Sequence, residues 1–219
     1  MKLLSIDTST KNFSLSISDQ GKVLSQTNIK LDKILSDSII PAIEQILKKT
    51  KLSLEKLDGF VVGLGPGSFT SLRVGLSTIK AFAFVHNKPV VGISSLDAIA
   101  MGLKEDGSVC VITDARREMV YACLYEKNKG QLTRSSDYLL TSVSDLLTKI
   151  KGRPIFVGDG VPLLKNEDEK YSTAQEDFWY PQAKFFVPLA LDRFKAKKTD
   201  NVSKMVPLYL YPEDCQVQR

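Results

Sequence analysis

Apolar and polar positions alternate through three short runs at the start of the chain. Residues 3–7, 13–18 and 22–28 set apolar and β-branched side chains against Ser, Lys and Gln, with a turn at Asp19-Gln20-Gly21, and predict a three-stranded meander. From about residue 34 to 49 the period lengthens to that of a helix. Leu35, Ile39, Ile43, Ile46 and Leu47 share one face, and Asp37, Glu44 and Lys48 lie opposite. Pro41 removes one backbone hydrogen bond there, which predicts a kink or restart near 38–41. Residues 60–63 are short and apolar enough for a buried strand, which feeds Gly65-Pro66-Gly67-Ser68. A second helix follows from about 69 to 85, with Ser68 at its N-cap.

That second helix is apolar on two sides. Phe69, Leu72, Leu76, Ile79 and Ala83 make one face and Val74, Ala81, Phe82 and Val85 another, leaving Arg73, Ser77 and Lys80 as a narrow polar strip. Such a helix is either deeply buried or covered on its second side by another chain. Ser71, Gly75 and Thr78 are small enough for a neighbouring helix to approach closely.

The order of elements then repeats. A strand at 89–93 and a helix to about 103 lead to the polar joint Lys104-Glu105-Asp106-Gly107, which divides the chain into lobes at 1–105 and 106–219. The second lobe is the smaller: a hairpin at 109–126, a helix near 142–150, a strand at 154–157, a short helix near 187–197 and an extended end at 206–210. In both lobes an apolar strand delivers an aspartate, Asp7 or Asp114, and turns back as a hairpin. Both later carry a glycine-broken strand end, at 60–67 and 155–160.

Composition narrows the partners more than the fold. With 43% hydrophobic and 25% charged residues the chain is globular rather than disordered. A net charge of +5 and a pI near 9.0 are compatible with an acidic partner such as RNA. The basic residues are spread out, however, and cluster only at 48–51 and 193–198, where solvated helix ends are the simpler reading. Cys110, Cys123 and Cys215 show no C-x-x-C spacing, so reduced thiols are expected. No stretch approaches the roughly 20 apolar residues of a membrane span, and a soluble, cytoplasmic protein is expected.

The duplicated unit resembles the superfold of actin, Hsp70 and sugar kinases (ASKHA), in which two RNase-H-like halves close on ATP. Asp7-Thr8-Ser9-Thr10 suits the phosphate-facing turn of that fold, whereas Asp114-Ala115-Arg116-Arg117 lacks a glycine for close backbone approach, so the second lobe reads as degenerate. Gly63-Leu64-Gly65-Pro66-Gly67-Ser68 before a helix has the form of an anion site, without the Walker pattern. Together Asp7, Thr8, Ser9, Gly65, Gly67, Ser68 and Asp114 make a vestigial nucleotide or anion site. A meeting of Asp7, Asp114 and Asp159 as a metal-binding carboxylate group would need tight convergence of the two halves. The sole histidine, His86, falls at the end of the second helix, where it caps carbonyls or faces solvent.

More specifically, Leu4-Ser5-Ile6-Asp7-Thr8-Ser9, the block Gly63-Leu64-Gly65-Pro66-Gly67-Ser68-Phe69-Thr70-Ser71-Leu72-Arg73-Val74-Gly75, Gly92-Ile93-Ser94-Ser95-Leu96, Asp114-Ala115-Arg116 and Pro207-Leu208-Tyr209-Leu210 resemble the TsaB (YeaZ) family in order and over the whole chain. The resemblance implies a non-catalytic subunit in threonylcarbamoylation of N6 of adenosine 37 in tRNAs reading ANN codons. Its implied partners are the metal-bearing transferase TsaD, the ATPase TsaE, a second copy when TsaD is absent, and tRNA through the complex. No cofactor is implied for this subunit; ATP and a metal ion serve the partners. The implied interface is Leu35, Ile39, Ile43, Phe69, Arg73, Leu76 and Lys80. The chain departs from the family at 33–41, at Ser71 and at Glu118. The alternatives are an actin-like nucleotide-hydrolysing or phosphotransfer enzyme, and a peptidase, for which the catalytic ligands are missing.

Overall fold

A computed structural model describes residues 1–30 and 35–211, with the backbone alone for 166–170. The expected helix start at Ile34, the family departure at Lys33 and the thiol of Cys215 lie outside the described residues. The chain divides into two compact units. The first is Met1–Ala98 with Pro181–Leu208; the second is Ile99–Tyr180, rejoined from Tyr209. The first change of unit falls between Ala98 and Ile99, and 181–208 returns to the first unit.

The first unit is built on the meander predicted from alternation. Strands β1 (Lys2–Asp7), β2 (Asn12–Asp19) and β3 (Lys22–Lys30) pair antiparallel, and β4 (Gly59–Gly63) and β5 (Val90–Ile93) extend the sheet in parallel, giving the order β3-β2-β1-β4-β5. Helix α1 (Leu35–Thr50) runs through Pro41 rather than restarting at it. With α2 (Phe69–His86) it covers one sheet face, where Leu4, Ile6, Phe13, Leu15 and Ile17 meet Ile39, Ile43, Leu76 and Ile79. Helix α3 (Ser95–Gly102) follows β5.

The second unit repeats the plan in reduced form. Strands β6 (Gly107–Asp114) and β7 (Met119–Asn128) pair antiparallel, and β10 (Ile155–Val157) lies parallel to β6. The place of a third strand is shared by two short ones: β8 (Gln131–Arg134) pairs with one end of β7 and β9 (Leu139–Ser142) with the other. Ser142 caps α4 (Val143–Lys149) by accepting from Asp145 N–H at 3.1 Å. Beyond β10, a single parallel bridge from Phe156 to Thr173 stands where the first unit has β5.

The returning segment supplies α5 (Phe186–Lys195), whose Phe186, Ala190 and Phe194 cover Leu3, Val61 and Val91 on the second face of the first sheet. Over β1 and β2 that face consists of buried serines, Ser5, Ser14, Ser16 and Ser18. The small polar Ser side chains of the period-2 alternation lie under 183–185, which packs over this face. Ser14 Oγ accepts from Ala183 N–H at 2.7 Å and donates to Asn28 Oδ1 at 2.6 Å, whereas Ser5 Oγ and Ser16 Oγ have no protein partner. Removing a partnerless buried hydroxyl and removing a bonded one have opposite signs. Ser16→Ala should therefore raise the unfolding free energy by about 1 kcal/mol and Ser14→Ala should lower it by about 1–2 kcal/mol in denaturant titrations.

Candidate functional site

The end of β1 carries Asp7 into the interior, where its side chain is 0% exposed. One carboxylate oxygen accepts from Ser9 N–H at 2.9 Å and from Ser9 Oγ at 2.7 Å; the other accepts from Ser95 Oγ at 2.5 Å. Ser95 Oγ in turn accepts from Gly65 N–H at 3.1 Å, and Gly65 carbonyl accepts from Ser95 N–H and from Ser94 Oγ. One carboxylate thereby ties together the end of β1, the loop after β4 and the start of α3.

The glycines of this loop are needed because the chain itself comes so close. A Cβ on Gly63 would stand 1.9 Å from Asp7 Oδ2, and one on Gly67 would stand 2.2 Å from Ser9 carbonyl oxygen. That same carbonyl accepts from Ser68 N–H at 2.8 Å. Thr8 Oγ1 donates to Ser71 carbonyl at 2.8 Å and occupies the space beside Gly75, where a Cβ would be 2.3 Å away. The predicted Asp7, Thr8, Ser9, Gly65, Gly67 and Ser68 do gather, but their close contacts are with one another. Ser68 stands at the N-cap without capping the backbone; its hydroxyl bonds Ser71 Oγ at 3.0 Å.

Burial pushes the Asp7 carboxyl above the ordinary carboxylate range, and the bonds from Ser9 and Ser95 draw it back only in part. With the folded value raised, the group favours folding at low pH, and that contribution is lost as pH climbs from the usual carboxylate range through the raised value.

Asp114 does not repeat this arrangement. It belongs to the second unit and is exposed. Its carboxylate accepts from Arg116 N–H at 2.7 Å, its own N–H donates to Asp159 Oδ1 at 3.0 Å, and Arg116, Arg117 and Glu118 turn the hairpin with positive φ. The glycine ending the fourth strand explains the difference: Gly63 packs on Asp7, but Gly158 packs on Ile112, two residues before Asp114. By that register the second aspartate is displaced outward along its strand. Among the described residues no three His, Cys, Asp or Glu side chains form a metal-holding group.

The expected interface divides in two. Leu35, Ile39, Ile43 and Leu76 are core residues, because α1 and α2 need them to cover the sheet. Phe69 and Arg73 are exposed, with the guanidinium 3.8 Å from the ring centre, and Lys80 Nζ reaches Ser203 carbonyl at 3.4 Å. Phe84, which sequence reasoning passed over, is 87% exposed beside Val85 at 72%, and Ile40 is exposed on α1. In a helix apolar nearly all round, periodicity did not tell which apolar residues face out. Asn87, not His86, supplies the left-handed C-cap, and His86 Nδ1 lies 4.0 Å from Glu55.

The family model described as TsaD, tRNA N6-adenosine threonylcarbamoyltransferase, matches residues 29–204. The chain is 32% identical over 170 residues to the tRNA threonylcarbamoyladenosine biosynthesis protein TsaB of Bacillus subtilis, covering 75% of this chain and 74% of that protein. YeaZ from Pseudomonas aeruginosa aligns with a TM-score of 0.84 at 20% identity, over 95% of this chain and 99% of that one. The activator of the 2-hydroxyisocaproyl-CoA dehydratase from Clostridium difficile, with bound ADPNP, aligns at 0.54 and 13% identity, over 92% and 99%. The two structural likenesses establish the fold: a duplicated, actin-like α/β architecture.

Two substitutions at Asp7 separate its charge from its bonding. Asp7→Asn should keep the fold and flatten the loss of thermal stability as pH rises above the carboxylate range, measured by Tm against pH. Asp7→Ala, which leaves the Ser9 and Ser95 donors without their acceptor, should lower stability by about 2–3 kcal/mol.

Proposed function

The chain belongs to the TsaB family of tRNA threonylcarbamoyladenosine biosynthesis proteins, and we propose that it serves as the non-catalytic subunit that binds and activates a TsaD-type transferase. The observation that carries this reading is the outward side of α2. Phe69, Phe84 and Val85 stand in solvent on a helix whose opposite side is core, with Ile40 exposed on α1. Large exposed apolar side chains beside cations such as Arg73 have the composition of a protein-binding surface. The internal use of Asp7 supports the same reading, since the carboxylate that an actin-like enzyme would turn to chemistry is enclosed by its own loops.

On this proposal a TsaE-type ATPase joins the pair, ATP and a metal ion act on the partners, and tRNA is engaged through the complex. A second copy of the chain occupies the α2 surface when the transferase is absent. All these steps take place in the cytoplasm.

Reconstitution tests the proposal. The full chain added to a TsaD-type transferase, a TsaE-type ATPase, tRNA and threonylcarbamoyl-AMP should restore modification that is absent without it. Phe84→Asp combined with Val85→Asp should weaken association with the transferase about 100-fold, within the range of interface hot spots, while leaving Tm unchanged. Leu76→Glu should instead unfold the chain, as seen by circular dichroism, because its side chain is in the core. Robust ATP hydrolysis by the isolated chain, abolished by Asp7→Asn, would contradict the non-catalytic role.

A further inference from the structure

The net positive charge of the chain lies in one of its units. Met1–Ala98 and Pro181–Leu208 together carry 18 Lys and Arg against 10 Asp and Glu, whereas Ile99–Tyr180 carries 11 against 13. Within the first unit, cations concentrate where the returning chain passes the edge strand β5.

The backbone there is firmly held. Arg193 donates to Gly92 carbonyl at 3.0 Å and to Lys198 carbonyl at 3.2 Å, and pairs with Asp200 at 2.8 Å. The other oxygen of Asp200 accepts from Gly92 N–H at 2.8 Å, and Asp200 N–H donates to Val90 carbonyl at 2.9 Å. Lys197 takes a left-handed φ of 55°, and the N–H groups of Lys197 and Lys198 donate back to the carbonyls of Phe194 and Arg193. Arg193 and Asp200 therefore neutralise each other while strapping the segment to the sheet. The remaining acid of the stretch, Asp192, lies 3.5 Å from Lys195.

Lys197, Lys198 and Lys204 are exposed on this strap, and among the described residues none has a carboxylate within ion-pair distance. The antiparallel bridge between Val90 and Asp200 brings Lys88 alongside the turn Val202–Lys204, and Lys80 Nζ reaches the same turn at Ser203. Two segments distant in sequence, the end of α2 and the strap, thus meet along one edge whose backbone is already ordered, and the strap carries its exposed ammonium groups there.

We propose that this lysine edge binds the phosphodiester backbone of folded RNA. Ammonium groups act as point charges that suit phosphate without reading sequence, and a pre-ordered backbone reduces the entropy lost on binding. A membrane surface would require large apolar side chains between the cations. Along the strap the apolar residues between Lys195 and Lys204 are Ala196 and Val202, the latter packed against the core, and the exposed Val206 comes only after the last lysine. The choice of tRNA as the RNA rests on the function proposed above; the charge pattern does not.

The test uses the full chain and fluorescence anisotropy with labelled tRNA between about 50 and 200 mM salt. The variant Lys197→Ala/Lys198→Ala/Lys204→Ala should bind at least about 10-fold more weakly at the low-salt end, with a slope of log K against log salt shallower by about 2–3. Its Tm and its association with the transferase should match the wild type. The control Lys48→Ala/Lys49→Ala/Lys51→Ala, which removes equal charge elsewhere, should bind nearly as the wild type does. Unchanged tRNA binding by the first variant, equal loss in the control, or wild-type binding to phosphatidylserine-rich vesicles as tight as to tRNA would each overturn the proposal. Transferase association is read separately, so its failure would sink the proposed function and leave the lysine edge standing.

Discussion

The first unit depends on one buried carboxylate. Asp7 accepts hydrogen bonds from Ser9 and Ser95, and Ser95 passes the connection to Gly65, so three segments far apart in sequence share one carboxyl group. Burying a polar group is costly unless its lone pairs are satisfied, and here the donors come from the same loops that the carboxyl group holds in place. The Gly-Pro-Gly-Ser loop follows from this constraint. Its glycines admit Asp7 and Ser9 at distances that leave no room for a side chain, and the loop then delivers Phe69 at the start of α2.

From that anchored start α2 runs along the sheet with Leu72, Leu76, Ile79 and Ala83 inward. The outward Phe84 and Val85 contribute nothing to the core, and their exposure leaves apolar area that association with a partner would remove from water. In the second unit no buried carboxylate occupies the corresponding place. Gly158 packs on the Ile112 backbone, Asp114 is left at the surface, and the edge beyond β10 is reduced to one bridge. Loss of the buried carboxyl group and reduction of the sheet occur in the same copy of the repeat.

Much of this architecture was legible in residue pattern. The meander, both long helices, the repeated strand-and-aspartate unit and the gathering of Asp7 with the glycine loop all follow from alternation, helical period and turn chemistry. What the pattern could not supply was direction. Leu35, Ile39, Ile43 and Leu76 read equally well as core or interface, because a helix apolar on two sides offers no internal reference for which side meets the sheet. That Ser5, Ser16 and Ser18 are buried does not follow from alternation, because the covering segment arrives from beyond residue 180. The outward displacement of Asp114 depends on strand register, which a repeated motif conceals.

The central claim is that the chain works through the outward side of α2 while the Asp7 loop serves only to hold the fold. Hydroxyl-radical footprinting of the full chain tests it directly, with side-chain oxidation followed alone, with Mg·ATP and with a TsaD-type transferase. The account predicts that the transferase shields Phe69 and Phe84 and that Mg·ATP alone changes neither. Unshielded Phe69 and Phe84 in a complex that modifies tRNA would contradict it.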